Sequence, residues 1–490
     1  MNLETASFSA VAQAVKSKKF SAVETAQFFL NRIEKLNPVL NAFIRLNPEL
    51  INDAKKIDSD IAKGIDPGPL AGVVFGIKDM LCTKNLTTTA ASKMLENFVP
   101  PYDATVVARL RKAGALIAGK LNQDEFAMGS SNETSAFGLC KNPWNTDYVP
   151  GGSSGGSASA QAARMVMGTI GTDTGGSIRQ PANFCGITGI KPTYGRVSRY
   201  GIVAYASSLD QAGPMTSSVE DAARTLEAIC GFDKRDMTTS DLPVEAFSKD
   251  LNNSIRGKKI GIVKEYISDQ IDPDVQKTFD QAIATLKEGG AEIVEVSVPM
   301  TKYAVPMYYL ISASEASSNL SRYDGVKYGF RAEFKDLSSI DLIDFYSQTR
   351  SQGFGTEVKR RIMLGTYCLS SGYYDAYYKK ACQVRRVLKE QYAAAFKKCD
   401  ALLSPVSMTP AFKIGERSAD PIKMYMNDIF TTATNLAGLT GMSVPFGISK
   451  NRLPIGVQLT GWHFQEKTIL NIAQHLENNF SERGQKPHVF

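Results

Sequence analysis

The sequence predicts an α/β protein, a sheet covered by helices on both faces. Short apolar runs alternate with amphipathic helical stretches from end to end, as strands and their covering helices do. Apolar residues make up 43% and charged residues 21% of the chain. Those shares are ordinary for a soluble globular protein and exclude a disordered, collagenous or coiled-coil chain. A length of 490 residues suits one large α/β body or two to three smaller domains. The polar stretch 235–256 reads as a surface loop rather than a linker, because strand–helix alternation resumes on both sides of it. One domain over residues 1–490 is therefore expected.

The elements follow in order. Ser21-Ala-Val-Glu24 is a capping box, opening a helix that continues through Phe28, Phe29 and Ile33 and should stop before Pro38. Val73-Val-Phe75, Ala115-Leu-Ile-Ala118 and Met165-Val-Met167 read as buried strands, each with glycine close by. Lys259–Val263 is a further strand, followed by a helix from Asp274 to Glu288 that ends at Gly289-Gly290, and by a strand over Glu292–Val298. Late in the chain come strands at Ala401–Leu403 and Ile455–Leu459 and a helix near Glu466–Asn478.

Composition narrows the chemistry. A formal charge of +7 on 53.3 kDa is too diffuse to establish nucleic-acid binding. Seven widely spaced cysteines without a CxxC pair argue against a disulfide scaffold or structural zinc and for a reducing compartment. No stretch reaches the eighteen or so apolar residues of a membrane span, so a soluble cytoplasmic protein is expected. The only histidines are His463, His475 and His488, all within the last 28 residues. Unless that tail folds back, histidine moves no proton in the body of the chain.

One segment is unusual. Gly and Ser fill 13 of the 27 positions from 151 to 177, yet the segment surrounds an apolar run, which a flexible linker has no reason to do. It holds Gly151-Gly152-Ser153-Ser154-Gly155-Gly156-Ser157 and Thr172-Asp173-Thr174-Gly175-Gly176-Ser177-Ile178-Arg179. Paired glycines before a serine let the backbone turn tightly and aim successive N–H groups at one spot. An oxyanion hole beside a nucleophile is built that way. A pair of ordinary turns or a phosphate-cradling loop would fit the same residues. A nucleophilic serine needs a base, and a lysine deprotonated by burial can replace histidine. Lys78, in Gly76-Ile77-Lys78-Asp79, follows a predicted buried strand, although most lysines are solvated surface charges.

Taken together, these pieces resemble the amidase signature family. The resemblance rests on Gly-Ile-Lys78-Asp, on Ser153 75 residues later, and on Ser177 24 residues beyond that. It extends through Gln180-Pro-Ala-Asn-Phe-Cys185-Gly186 and Gly189-Ile-Lys-Pro192. It implies a single mixed sheet wrapped by helices and a Ser–Ser–Lys triad. In that triad Lys78 is the base, Ser153 the relay and Ser177 the nucleophile, and the N–H groups of Thr174, Gly175, Gly176 and Ser177 form the oxyanion hole. Three competing features are weaker. Gly114–Lys120 fits the start of a P-loop, but Leu121 stands where Ser or Thr must hold magnesium. Cys185, between Phe184 and Gly186, reads as a buried structural thiol. Asp173 is at least as well suited to bonding its own turn amides as to relaying charge.

The second half of the chain narrows the resemblance. Ser314–Gly325, Glu357–Thr366 and Ser370–Tyr378 are similar to the branch of the family that serves as glutaminase in tRNA-dependent amidotransferases. That likeness implies that this chain hydrolyses glutamine and passes ammonia to a partner, the B subunit. This partner would use ATP and Mg to convert Glu-tRNA(Gln) to Gln-tRNA(Gln), and a small C subunit would complete the complex. No cofactor is expected on this chain. The likeness also places Tyr308, Arg361 and Asp428 around the glutamine. A zwitterion needs a cation for its carboxylate and an anion for its ammonium, and arginine offers a carboxylate two parallel donors. Read by themselves, Arg361 could be a solvated helix charge and Asp428 an ordinary cap. In Phe126-Ala-Met-Gly129-Ser130, Ser130 stands where many amidases of the family carry a second glycine. A standalone amidase acting on small or aryl amides is the alternative.

Overall fold

The computed structural model describes residues 1–336, 340–418, 420–485 and 487. Among them, eleven strands form one sheet: β1 (Phe43–Leu46), β2 (Val74–Lys78), β3 (Leu116–Leu121), β4 (Gly168–Asp173), β5 (Thr188–Lys191), β6 (Gln211–Thr216), β7 (Lys259–Val263), β8 (Glu292–Val296), β9 (Ala401–Pro405), β10 (Thr440–Ile448) and β11 (Pro454–Gly461). Their spatial order is β1-β3-β2-β4-β6-β5-β10-β11-β9-β7-β8. The sheet is mixed. β2 runs parallel to β3 and β4, and β7 parallel to β8 and β9, while the other pairings are antiparallel. The first six strands fill one half and the last five the other. The halves meet where β5 pairs with β10, Ile190 opposite Met442.

Every residue of β2 to β6, and of β9 and β11, is buried. Successive side chains point to opposite faces of a strand, so both faces of the sheet are covered, as the sequence predicts. The helix Val219–Ile229 shows how. Ser218 caps it, its first turn carries Glu220 and Asp221, and it buries Val219, Leu226 and Ile229. Each such side chain stabilises the fold by about 1.5–3 kcal/mol. The edge strand β8 is half-exposed and carries Glu292 and Glu295 outward, charges that discourage pairing with another chain.

Strand ends shift by up to three residues from the sequence reading, β8 ending at Val296 rather than Val298 for example, and two differences are instructive. The capped helix runs Ala22–Leu40 with Pro38 inside it, past the expected stop. Proline removes one hydrogen bond, and here the loss falls in the final turn, just before Asn41 closes the helix in a left-handed conformation (φ 49°). The run Met165–Met167 is not itself a strand. β4 starts one residue later, at Gly168, where a Cβ would lie 2.7 Å from both Phe8 and Phe75. Close packing against these rings, rather than apolar composition, places that strand. Residues 235–256 form turns and irregular backbone, anchored by buried Phe247, Leu251 and Ile255.

Candidate active site

Lys78 is the last residue of β2, between β3 and β4, and is fully buried. Its Nζ lies 2.7 Å from Ser153 Oγ, 2.9 Å from Ser154 Oγ and 3.5 Å from the Thr172 carbonyl. Burial brings the ammonium down to about 7, against the opposing pull of Asp124, Asp173 and Asp210. A neutral amine is thus accessible near neutral pH, which a general base requires. Ser153 is also fully buried, whereas Ser177 retains 8% exposure. The proposed nucleophile is the member of the trio that a substrate can reach.

Two glycine turns set the serines. Gly151 has a positive φ of 82°, and the Gly152–Ser153 peptide is cis. The Gly152 N–H donates to Gln180 Oε1 (3.0 Å) and the Asp124 N–H to the Ser153 carbonyl (3.2 Å). A Cβ on Gly152 would sit 2.1 Å from Asp124 Oδ2, so only glycine allows this approach. The Ser154 N–H donates to the Ser177 carbonyl at 3.2 Å, which joins the two turns directly.

The second turn is built on Asp173, at the end of β4. Its carboxylate accepts from the N–H groups of Gly176 (2.8 Å) and Ile178 (3.2 Å), from Arg179 Nε and Nη2 (both 3.0 Å) and from Asn435 Nδ2 (2.8 Å). Burial would raise this carboxyl; the Arg179 guanidinium and the other donors hold it at about 2 instead. Asp173 therefore shapes the turn through its amides. One N–H group of the expected oxyanion hole, that of Gly176, is engaged by Asp173 Oδ1. Thr174, Gly175 and Ser177 are left as the hole's proposed donors, with Thr174 held through its hydroxyl on Asp210 Oδ1 (2.7 Å).

Two of the three expected pocket residues, Tyr308 and Asp428, meet this turn from separate elements. A Cβ on Gly175 would lie 2.6 Å from Tyr308 Cζ, and one on Gly176 3.2 Å from Asp428 Oδ1. Tyr308 comes from the helix Ala304–Leu320 and Asp428 from the turn Met426–Asp428. Arg361, from the helix Thr356–Leu369, is 3% exposed and so is not a solvated charge. It donates to Glu357 Oε1 (2.8 Å) and to Tyr205 OH (2.7 Å), and its guanidinium lies 5.0 Å from the centre of the Tyr309 ring. Asp428 Oδ2 accepts from Ser130 Oγ at 2.6 Å, whereas Oδ1 is buried without a partner among the described residues.

The sequence reading missed Ser154 as a second neighbour of Lys78, Asp124 as the wall behind Gly152, and Gln180 as a brace. The doubled serine in Gly-Gly-Ser-Ser was the one available signal. The competing features resolve simply. Gly114–Lys120 leads into and forms most of β3, and buried Lys120 donates to Thr88 Oγ1 (3.0 Å), Thr83 Oγ1 (3.2 Å) and the Leu81 carbonyl. Cys185 is buried and its thiol faces the Pro150 carbonyl (3.4 Å). His463 packs by Gly438 and His475 by Gly289, so neither reaches Lys78; His488 lies outside the described residues.

A buried lysine of lowered pKa against a serine, with a second serine on a glycine turn, is the arrangement expected of a serine amidohydrolase that does without histidine. The Amidase family model matches residues 24–470, and the chain belongs to that family. It is 68% identical over 489 residues to the A subunit of glutamyl-tRNA(Gln) amidotransferase from Bdellovibrio bacteriovorus, covering 100% of both chains. It is 55% identical over 466 residues to the subunit of the same name from Geotalea daltonii, covering 95% of each. Among solved structures, the A subunit of glutamyl-tRNA(Gln) amidotransferase from Thermotoga maritima superposes with a TM-score of 0.83 at 39% identity, covering 100% of this chain and 99% of that one. The peptide amidase of Stenotrophomonas maltophilia superposes at 0.82 and 30% identity, covering 99% of each. Like other members of the family, this chain is an enzyme of amide hydrolysis.

Proposed function

We propose that this chain is the glutaminase subunit of a tRNA-dependent amidotransferase. It releases ammonia from glutamine for the conversion of Glu-tRNA(Gln) to Gln-tRNA(Gln). The observation that carries this reading is the presence of two buried charged side chains, Arg361 and Asp428, the latter with Oδ1 beside the Ser177 turn and without a partner among the described residues. Such a pair suits the carboxylate and ammonium of a free amino-acid amide, and a simple aryl amide needs neither charge.

Ser177 Oγ attacks the side-chain amide carbon of glutamine, and its proton passes through Ser153 to Lys78 Nζ. The oxyanion is held by the N–H groups of Thr174, Gly175 and Ser177. Collapse breaks the C–N bond, the proton returns along the same route to the leaving nitrogen, and ammonia departs from a seryl ester. Water, deprotonated by the same relay, attacks the ester; glutamate leaves and Ser177 recovers its proton. Placing donors before charge develops is worth about 3–4 kcal/mol per donor.

None of these steps draws on a cofactor of this chain. ATP and Mg belong to the B subunit, which activates the glutamate on tRNA, and the C subunit makes up the heterotrimer. We read residues 1–490 as one amidase signature domain, supported by the unbroken eleven-stranded sheet. Among the described residues no helix is long and apolar enough to cross a membrane, and we assign the complex to the cytoplasm, with protein synthesis. The test is ammonia release from glutamine by the chain purified with its partners, with and without ATP and Glu-tRNA(Gln). Stimulation by the charged tRNA is expected. A rate indifferent to it, with simple amides cleaved faster than glutamine, would leave the Ser–Ser–Lys chemistry and remove the translational role.

A further inference from the structure

Ser130 drew notice in the sequence and has no part in the triad. In the fold it is 3% exposed and is fixed at both ends. Its hydroxyl donates to Asp428 Oδ2 at 2.6 Å. Its carbonyl accepts from Gln180 Nε2 at 3.1 Å, and Gln180 Oε1 takes the N–H of Gly152, next to the relay serine, at 3.0 Å. Ser130 is thus referenced to the catalytic turns, and it passes that reference to one oxygen of Asp428. The other oxygen, Oδ1, is buried and has no partner among the described residues. It faces Gly176, one residue before the proposed nucleophile. A buried carboxylate oxygen without a donor is costly, and an arriving cationic donor satisfies it.

We propose that Ser130 is a positioning residue that sets selectivity for amides bearing an α-ammonium group, by clamping Asp428 Oδ2 so that Oδ1 is aimed at that ammonium. This rests on the glutamine-site reading above and adds a specificity determinant to it. The hydroxyl acts in two ways. It fixes the carboxylate's rotation, and it favours the ionised form. Burial pushes the Asp428 carboxyl up to about 7, with Asp173 adding to the rise; the Ser130 hydroxyl, Arg361 and Arg179 pull it back down. Tyr308 and Tyr309 also face it. As pH falls through that value Asp428 gains a proton and its hold on an ammonium weakens. Removing the serine hydroxyl moves this transition to higher pH.

The experiment compares glutamine with glutaramate, the same amide without the α-amino group, using the full chain purified with its partner subunits. Wild type is expected to favour glutamine. Ser130→Ala should lower the ratio of kcat/KM for glutamine to kcat/KM for glutaramate about tenfold, mainly through the glutamine KM, and should shift the acid limb of glutamine binding upward in pH. Ser130→Thr, which keeps the hydroxyl, should restore both. A wild-type-like ratio and acid limb in Ser130→Ala, or an equal loss on both amides, would overturn the inference while sparing the glutamine site. If wild type itself does not distinguish the two amides, the glutamine-site reading falls, and this inference with it.

Discussion

At the scale of single residues, the decisive fact is that Lys78 is held without solvent among hydroxyls and a carbonyl. Ser177→Ala should abolish glutaminase activity while leaving the melting transition in place; turnover at the wild-type rate would remove Ser177 as nucleophile. Lys78 works as a base only when neutral, and its ammonium is brought down to about 7, so kcat should climb as pH rises through that value and then level off. The same shift makes a stability statement. Between about 7 and 10.5 the unfolded lysine holds a proton that the folded one has lost. Stability should therefore increase as pH rises through that window. Lys78→Met should lack this slope, and identical slopes in denaturant titrations of the two proteins would show that Lys78 is charged in the fold. The approach of Lys78 to Ser153 was legible in the sequence because both residues sit in short glycine motifs and because histidine is scarce. The surroundings of Arg361 were not. Its neighbours Tyr205 and Tyr309 come from distant parts of the chain, and Lys-Arg-Arg in isolation looks solvated.

At the scale of elements, the Thr174–Ser177 turn works by close approach. Gly176 adopts φ 143°, and a Cβ there would lie 2.2 Å from Thr431 Oγ1, the hydroxyl that donates to the Gly175 carbonyl at 2.7 Å. Gly176→Ala is therefore expected to cost at least tenfold in kcat, by forcing the oxyanion turn away from Thr431 and Asp428. The melting temperature should fall only slightly, since the sheet beneath is untouched. Wild-type kcat in that variant would show that the turn tolerates displacement and carries no oxyanion donors. Strands such as β2, β3 and β7 could be read from their apolar runs. β6 and β10 were not read: each contains a proline, Pro214 and Pro445, and neither holds a continuous apolar run. The last turn of the helix through Pro38 went unread for a different reason, since a capping box reports where a helix starts and a proline in its last turn removes only one bond.

At the scale of the whole molecule, Arg179 ties the two halves of the sheet together beneath the site. Besides Asp173, it donates to Gln458 Oε1 of β11 (2.6 Å), to the Thr431 carbonyl (3.1 Å) and to Asn435 Oδ1, and it is fully buried. Arg179→Met should destabilise the fold by about 3–5 kcal/mol, because it strands the Asp173 carboxylate. Asp173, held at about 2, contributes stability above its unfolded value of 3.8 that is lost as pH falls toward 2, so the deficit should narrow below pH 4. An unchanged unfolding midpoint at pH 7 would refute this role. The seam between β5 and β10 has a wider consequence. Lys78, Ser153 and Ser177 all lie in the stretch of chain that carries the first six strands, whereas Tyr308, Arg361 and Asp428 all come from the chain beyond β6. The proposed bond-breaking apparatus comes from one half of the polypeptide and, Ser130 apart, the parts proposed to judge the guest come from the other. Evolution can therefore redraft the second half for a new guest and leave the first nearly as it stands, so that one reaction can be handed down through descendants with very different diets.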